Sequence, residues 1–254
     1  MRYLVSVNPG RRADQSERFK QTLAEIHRRW GSDALRPLSA VQNTSTHIPT
    51  GFPVLDALLA GGIPCGQAVE LCGVPTSGAT TLALRIMAEA QTQGRLVVYV
   101  DLARVFDPGY AVRCGVQMDG LLIARPEEAL EGLDILTVVA AEAGAALAVL
   151  DSTTELLASP DSAARLRASL RKLMPALRRS GCTALFLSSD TSSQAMSHQV
   201  GLRLVVENTG WVEQGRDIAG LHARVAVARN TRGHADQQAD IVIALDDLAR
   251  GDAA

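Results

Sequence analysis

Gly73-Val74-Pro75-Thr76-Ser77-Gly78-Ala79-Thr80-Thr81 is the stretch whose reading decides the fold. It comes after a short β-rich run, Ala68 to Cys72, and leads into a helical pattern, Thr80 to Gln93. Strand, glycine-bounded loop and helix in that order are the setting of a Walker A phosphate loop, G-x-x-x-x-G-K-[ST]. Every position of the frame is met except the lysine, where Ala79 stands. In an intact loop the backbone N–H groups and the helix N-terminus cradle phosphate, the lysine reaches the β and γ oxygens, and the next hydroxyl, here that of Thr80, ligates magnesium. Losing the lysine removes a charge-assisted contact worth about 1.5 to 3 kcal/mol, roughly 10- to 150-fold in binding, and costs more in rate. Either the loop keeps a weakened hold on Mg-ATP, or it is a strand-to-helix turn retained for packing. The only lysines, Lys20 and Lys172, fall on predicted helices away from the loop, so a replacement cation would have to be an arginine such as Arg85 or Arg104.

Outward from the loop, short apolar runs alternate with helical segments, the signature of a mostly parallel sheet covered by helices. Strands are predicted at Ala68 to Cys72, Leu96 to Asp101, Leu121 to Ala124, Ala146 to Asp151 and Thr183 to Ser188, with helices at Thr80 to Gln93, Asp107 to Cys114, Glu127 to Ala143 and Ser162 to Ser180. Three further runs, Leu202 to Glu207, His222 to Arg229 and Ile241 to Leu245, extend the same sheet in an antiparallel manner. Ahead of this core, Asp14 and Glu17 form a capping-box pair for a helix to Trp30 whose apolar face is Phe19, Leu23, Ile26 and Trp30. The polar stretch Ser39 to His47 separates that helix from the sheet-forming segments, giving an interaction arm over residues 1–38 and a core domain over 39–250. So short a helix needs something to pack against, either its own core or another subunit.

Composition narrows the classes. A chain of 254 residues, 47% hydrophobic, can bury a core, and a net charge of −2 leaves nucleic-acid binding to a local patch. Cys65, Cys72, Cys114 and Cys182 show no metal-ligand spacing and suit a reducing compartment. With no secretion signal and no apolar run long enough to span a bilayer, a cytoplasmic protein is expected.

The residues also carry a resemblance. Ile48-Pro49-Thr50-Gly51, Leu55-Asp56, Gly61-Gly62-Ile63-Pro64, Gly66, Val69-Glu70, Gly73, Ser77-Gly78 and Thr80-Thr81-Leu82 keep the order of the bacterial RecA core, which they resemble. Val100-Asp101, Asp107-Pro108, Tyr110-Ala111 and Gly115-Val116 are similar to the segment after that family's second core strand, and Leu150-Asp151-Ser152 resembles its Walker B strand. The resemblance runs from the N-terminal helix to about Leu245 and implies a RecA-type P-loop ATPase core, without the family's separate C-terminal domain.

The departures fall on the chemistry. Where the resemblance implies a water-activating glutamate, two residues after Asp101, this sequence has Ala103, and where it implies a γ-phosphate-sensing Asn-Gln pair it has Ser188-Ser189. Gly73, Ser77, Gly78, Ala79, Thr80, Thr81 and Asp151 are therefore expected as a vestigial nucleotide site, with Thr80 and Asp151 the survivors of the magnesium set. Asp151 serves equally as a turn or capping residue. No catalytic residue, required cofactor or metal is assigned. Arg229-Asn230 resembles a basic turn through which one subunit reaches its neighbour's nucleotide. The segments Leu157 to Ser162 and Asp190 to Gly201 resemble shortened DNA-binding loops, the second without Lys or Arg in Asp190 to Gln199.

Taken together the resemblance implies a degenerate paralogue of the ImuA type, an adaptor in DNA repair and SOS mutagenesis. Its expected partners are RecA or an error-prone polymerase complex, with self-association through Phe19, Leu23, Ile26 and Trp30 and a weak contact with DNA. A slow DNA-stimulated ATPase, or a regulator that caps or disperses RecA filaments, are the alternatives. Two further features stand apart from the resemblance. The helix Ser162 to Ser180 has an apolar stripe, Leu166, Leu170, Leu173 and Leu177, flanked by Arg165, Lys172 and Arg179 on one side and Arg167, Arg171 and Arg178 on the other. That pattern reads either as snorkelling arginines beside a core stripe or as a face for DNA or an acidic partner. Trp211, beside predicted strands, reads as packing or as a stacking platform.

Overall fold

The computed structural model describes residues 46–142, 144–156, 162–189, 196 and 198–244. Phe19, Leu23, Ile26 and Trp30 of the predicted arm lie outside them, as do 157–161, 190–195 and 197 in the two predicted loop segments.

Two small strands, β1 (His47–Ile48) and β2 (Ile63–Pro64), pair antiparallel around helix α1 (Pro53–Leu58). Pro53 opens α1 with its backbone already set for a helix, and the Asp56 carboxylate accepts the Thr50 N–H at 2.7 Å. The core continues as β3 (Ala68–Cys72), α2 (Ala79–Thr92), β4 (Val97–Asp101), α3 (Pro108–Arg113), a 3₁₀ turn, β5 (Leu121–Ala124), α4 (Ala129–Glu142), β6 (Leu147–Asp151), the single turn α5 (Thr153–Leu156), α6 (Ser162–Ser180) and β7 (Thr183–Ser188). A meander of β8 (Leu202–Gln214), β9 (Asp217–Asn230) and β10 (Gln238–Ala244) closes the described chain.

These strands form one eight-stranded sheet ordered β10-β9-β8-β3-β7-β6-β4-β5. β8 enters it parallel to β3, and only β9 and β10 are joined by antiparallel pairing. Because helices cover both faces, β3, β4, β6 and β7 read as almost unbroken apolar runs. Val69, Leu71, Tyr99, Val149 and Leu185 pack towards α2, while Val100, Leu150, Ala184 and Phe186 pack towards α4 and α6. Within the sheet, Glu70 and Arg203 stand opposite each other in register and pair at 3.4 Å, so neither charge is buried alone. Cys72, Cys114 and Cys182 are buried thiols and Cys65 is half-buried. Burial pushes the Cys72 and Cys182 thiols up to about 12, which keeps both protonated and inert. No helix among the described residues is long and apolar enough to cross a membrane.

The predicted elements up to β7 lie within two residues of the observed ones. The meander differs: β8 and β9 run 13 and 14 residues, well past Leu202 to Glu207 and His222 to Arg229. Their extra length, Asn208 to Gln214 on β8 and Asp217 to Leu221 on β9, forms a hairpin with an exposed tip. Cross-strand backbone pairing holds it, so it shows little of the apolar alternation from which a strand is read.

Candidate functional site

The phosphate loop lies between the end of β3 and the start of α2. Gly73 donates its N–H to the Ser188 carbonyl at 2.9 Å, tying the loop to the end of β7. Ser77 N–H bonds back to the Val74 carbonyl, and its hydroxyl oxygen accepts the Ala79 N–H at 3.3 Å. A Cβ on Gly73 would come within 2.2 Å of Ser77 Oγ and 2.8 Å of the Ala79 methyl, so only glycine allows this turn. Gly78 caps α2 at φ 94, in the left-handed region, and a Cβ there would also meet Ile243 of β10 at 2.7 Å. The loop thus keeps its folded form without its lysine.

Above it lies a cavity of about 690 Å³, lined by the loop, Ala103, Val105, Tyr110, Asp151, Ser188, Trp211 and Leu221 among others. Its composition is the decisive observation: among the described lining residues there is no Lys, Arg or His, and Asp151 is the only charged one. Neither Arg85 nor Arg104 lines the cavity; Arg104 is exposed and donates to the Pro126 carbonyl at 3.4 Å. Arg113 stacks over the Tyr110 ring, 5.4 Å from its centroid, and does not line the cavity either.

Of the surviving magnesium positions, Thr80 is exposed at the cavity and Asp151 sits at the end of β6. The Asp151 carboxylate is already engaged, since Tyr99 donates its hydroxyl to Oδ2 at 2.6 Å. Burial raises the Asp151 carboxyl above the usual carboxylate range, with the Tyr99 hydrogen bond opposing that shift and the charges of Asp101 and Glu155 adding to it. Burial and the carboxylates of Asp151 and Asp101 push the Tyr99 phenol far up, so it remains a neutral donor. Asp101 is likewise committed: it accepts the Val105 N–H at 3.0 Å and pairs with Arg125 at 2.9 Å, shaping the turn after β4. Ala103 lies in that turn with its N–H 3.3 Å from the Asp151 carbonyl, placing a methyl group where the resemblance implied a glutamate. Ser189 bonds Thr154 through the hydroxyls at 2.8 Å, and Thr81 is buried and bonded to the Tyr110 hydroxyl. The backbone cradle fits a phosphate; of the side chains a magnesium-bound triphosphate would use, Thr80 and Asp151 are at the cavity, the second already hydrogen-bonded to Tyr99, and no cationic side chain lines it among the described residues.

A family model, the RecA N-terminal domain, matches residues 17–247. The chain belongs to the RecA family. RecA of Chloroflexus aurantiacus is 30% identical over 259 residues, spanning 91% of this chain and 74% of its own length. RecA of Aquifex pyrophilus is 31% identical over 256 residues, covering 90% of this chain and 74% of its own. A crystal structure of the RadB recombinase superposes with a TM-score of 0.62 at 22% identity, over 78% of this chain and 96% of that one, a likeness of fold.

In this RecA-family chain the structure brings Gly73, Ser77, Gly78, Ala79, Thr80, Thr81 and Asp151 to one cavity. Arg229, whose resemblance is to a turn that faces a neighbouring subunit, donates its guanidinium to the Val200 carbonyl at 3.0 Å. Trp211 is half-exposed and lines the cavity from β8. Asn208, which borders the register shift that leaves Thr209 without a strand partner, donates from its side chain to the Thr76 carbonyl and moors the hairpin to the phosphate loop. Nothing in the sequence flagged Tyr99, Asn208 or Leu221, because their place depends on strand register and on the hairpin's reach.

Proposed function

We propose that this RecA-family protein acts in DNA repair as an adaptor that does not turn over ATP. One observation carries the reading: a phosphate loop folded to hold phosphate, facing a cavity with no cationic side chain among the described residues. A nucleoside triphosphate carries several negative charges, and transfer of its terminal phosphoryl group depends almost wholly on cations placed around it. Here the charges it would meet are the backbone dipoles of the loop and the carboxylate of Asp151, and the second is repulsive without a metal. Retaining the fold while losing the lysine, the glutamate and the Asn-Gln pair fits selection for surfaces over turnover. The partners this reading names are RecA and an error-prone polymerase complex, with the arm bearing Phe19, Leu23, Ile26 and Trp30 as the docking element.

Affinity purification of the tagged chain from its own cells, with and without DNA damage, tests the reading. Recovery of RecA or a translesion polymerase is the expected result, and Leu23→Asp with Ile26→Asp abolishes it while leaving the thermal unfolding of the core unchanged. Recovery of neither partner, together with magnesium-dependent ATP hydrolysis that Asp151→Asn removes, would overturn the adaptor in favour of a slow ATPase.

A further inference from the structure

Cys65 and Cys182 lie at the end of the sheet away from the phosphate loop, where β3 and β7 begin. Cys65 leaves β2 and Cys182 leads into β7, and the contacts on either side of them draw the two segments together. Thr183 donates its hydroxyl to the Pro64 carbonyl at 3.2 Å. Gly66, at φ 76, passes the end of α6 so closely that a Cβ on it would lie 3.5 Å from the Leu177 carbonyl oxygen and 3.7 Å from Gly181 Cα. With Pro64 against Thr183 and Gly66 against Gly181, Cys65 is left opposite Cys182. Burial pushes the Cys182 thiol up to about 12, and the charge of Cys65 adds to that push, a sign that the two sulfurs are neighbours.

The two thiols differ in their surroundings. Cys182 is fully buried and closed to reagents in solution. Cys65 is half-buried; Arg95 donates from Nη1 to its sulfur at 3.3 Å, and Arg232 donates to its backbone carbonyl at 3.0 Å. Packing accounts for a small apolar residue at 182, but it does not account for a guanidinium aimed at the sulfur of residue 65. The thiolate is the nucleophilic form of cysteine, and oxidation-sensitive thiols are partly exposed, set among cations and placed beside a second thiol. Of the four cysteines only Cys65 combines these conditions, since Cys72 and Cys114 are both fully buried.

We propose that Cys65 is a peroxide-sensitive thiol that, once oxidised, closes a reversible disulfide with Cys182. In the first step the Cys65 thiolate attacks one oxygen of hydrogen peroxide. An S–O bond forms, the O–O bond breaks, the sulfur is oxidised to a sulfenic acid, and the departing hydroxide takes up a proton as water. In the second step the Cys182 sulfur attacks the Cys65 sulfur: an S–S bond forms, the S–O bond breaks, and the hydroxyl leaves with the Cys182 proton as a second water. Burial shields Cys182 from reagents in solution without removing it from this step, because the sulfur it attacks is already beside it. The bond ties the β1–β2 pair to the corner between α6 and β7. It lies at the far end of β3 from the phosphate loop and does not depend on the adaptor reading.

The test is peptide mapping by mass spectrometry, without reduction, of the purified full chain after hydrogen peroxide treatment, with and without dimedone to trap sulfenic acid. The expected result for the wild-type chain is a linked Cys65–Cys182 peptide that dithiothreitol removes. Cys182→Ala replaces the link with a dimedone adduct on Cys65, and Cys65→Ser gives neither product. Arg95→Gln slows oxidation of Cys65 by about 3- to 10-fold, since a lost cation lowers the thiolate fraction more than it raises nucleophilicity. Unchanged thermal unfolding of each reduced variant shows that the fold is intact. The proposal is overturned if no Cys65–Cys182 link forms in the wild-type chain, or if the link joins another pair. It is equally overturned if dimedone labels Cys65 no faster than Cys72 or Cys114, or if the Cys65 adduct builds up as fully in wild type as in Cys182→Ala.

Discussion

Tyr99→Phe tests whether the Asp151 carboxylate is held by a neighbouring side chain instead of being kept free for a metal. The change removes one oxygen and leaves the ring, which is buried and packs on Phe106 at 4.7 Å between centroids. What is lost is a hydrogen bond of 2.6 Å to a mostly buried carboxylate, a charge-assisted contact worth about 1.5 to 3 kcal/mol. For a domain of this size that lowers Tm by roughly 3 to 12 °C at about pH 8. The pH dependence gives the sign. Asp151 has a folded pKa raised above its unfolded value, so the native state binds the proton more readily, and its contribution to stability is greatest below about pH 4 and falls as pH rises through the folded pKa. The Tyr99 hydrogen bond opposes that rise; without it the folded pKa climbs further. The penalty of Tyr99→Phe is therefore small near about pH 4 and full at about pH 8, where the carboxylate is charged and has lost its donor. Thermal unfolding of both proteins at the two pH values measures it. A Tm difference that is absent, or equal at both, would refute this account of Asp151.

Two further outcomes bear on the loop. Ala79→Lys restores one phosphate contact in the cavity and should tighten ATP about 10- to 150-fold by equilibrium titration, while phosphate release stays at background because Ala103 and Ser188-Ser189 are unchanged; turnover from this single substitution would show the remaining site to be competent. Gly78→Ala forces a side chain into the left-handed region and against Ile243, and should cost about 1 to 3 kcal/mol in urea unfolding, where an unaffected midpoint would contradict the loop's packing on β10.

Much of this molecule was legible in the sequence because its signals are local. The loop from Gly73 to Thr81 names itself through spacing, and β3, β4, β6 and β7 announce themselves as apolar runs because a doubly covered parallel strand has no polar face. The absence of a lysine at 79 and of a glutamate at 103 is also a property of sequence alone, as are the six cations on one helix. The tertiary structure decided what surrounds those positions. Tyr99 and Asp151 are 52 residues apart and meet only because β4 and β6 are neighbours in register. Arg85 and Arg104 were eligible replacements for the lysine until the fold placed both outside the cavity. The reach of β8 and β9, which brings Trp211, Leu221 and Asn208 to the phosphate loop, rests on backbone pairing across a hairpin. A sequence records which groups are present and how they repeat; whether a charge faces a cavity or solvent is settled by contacts between segments far apart along the chain.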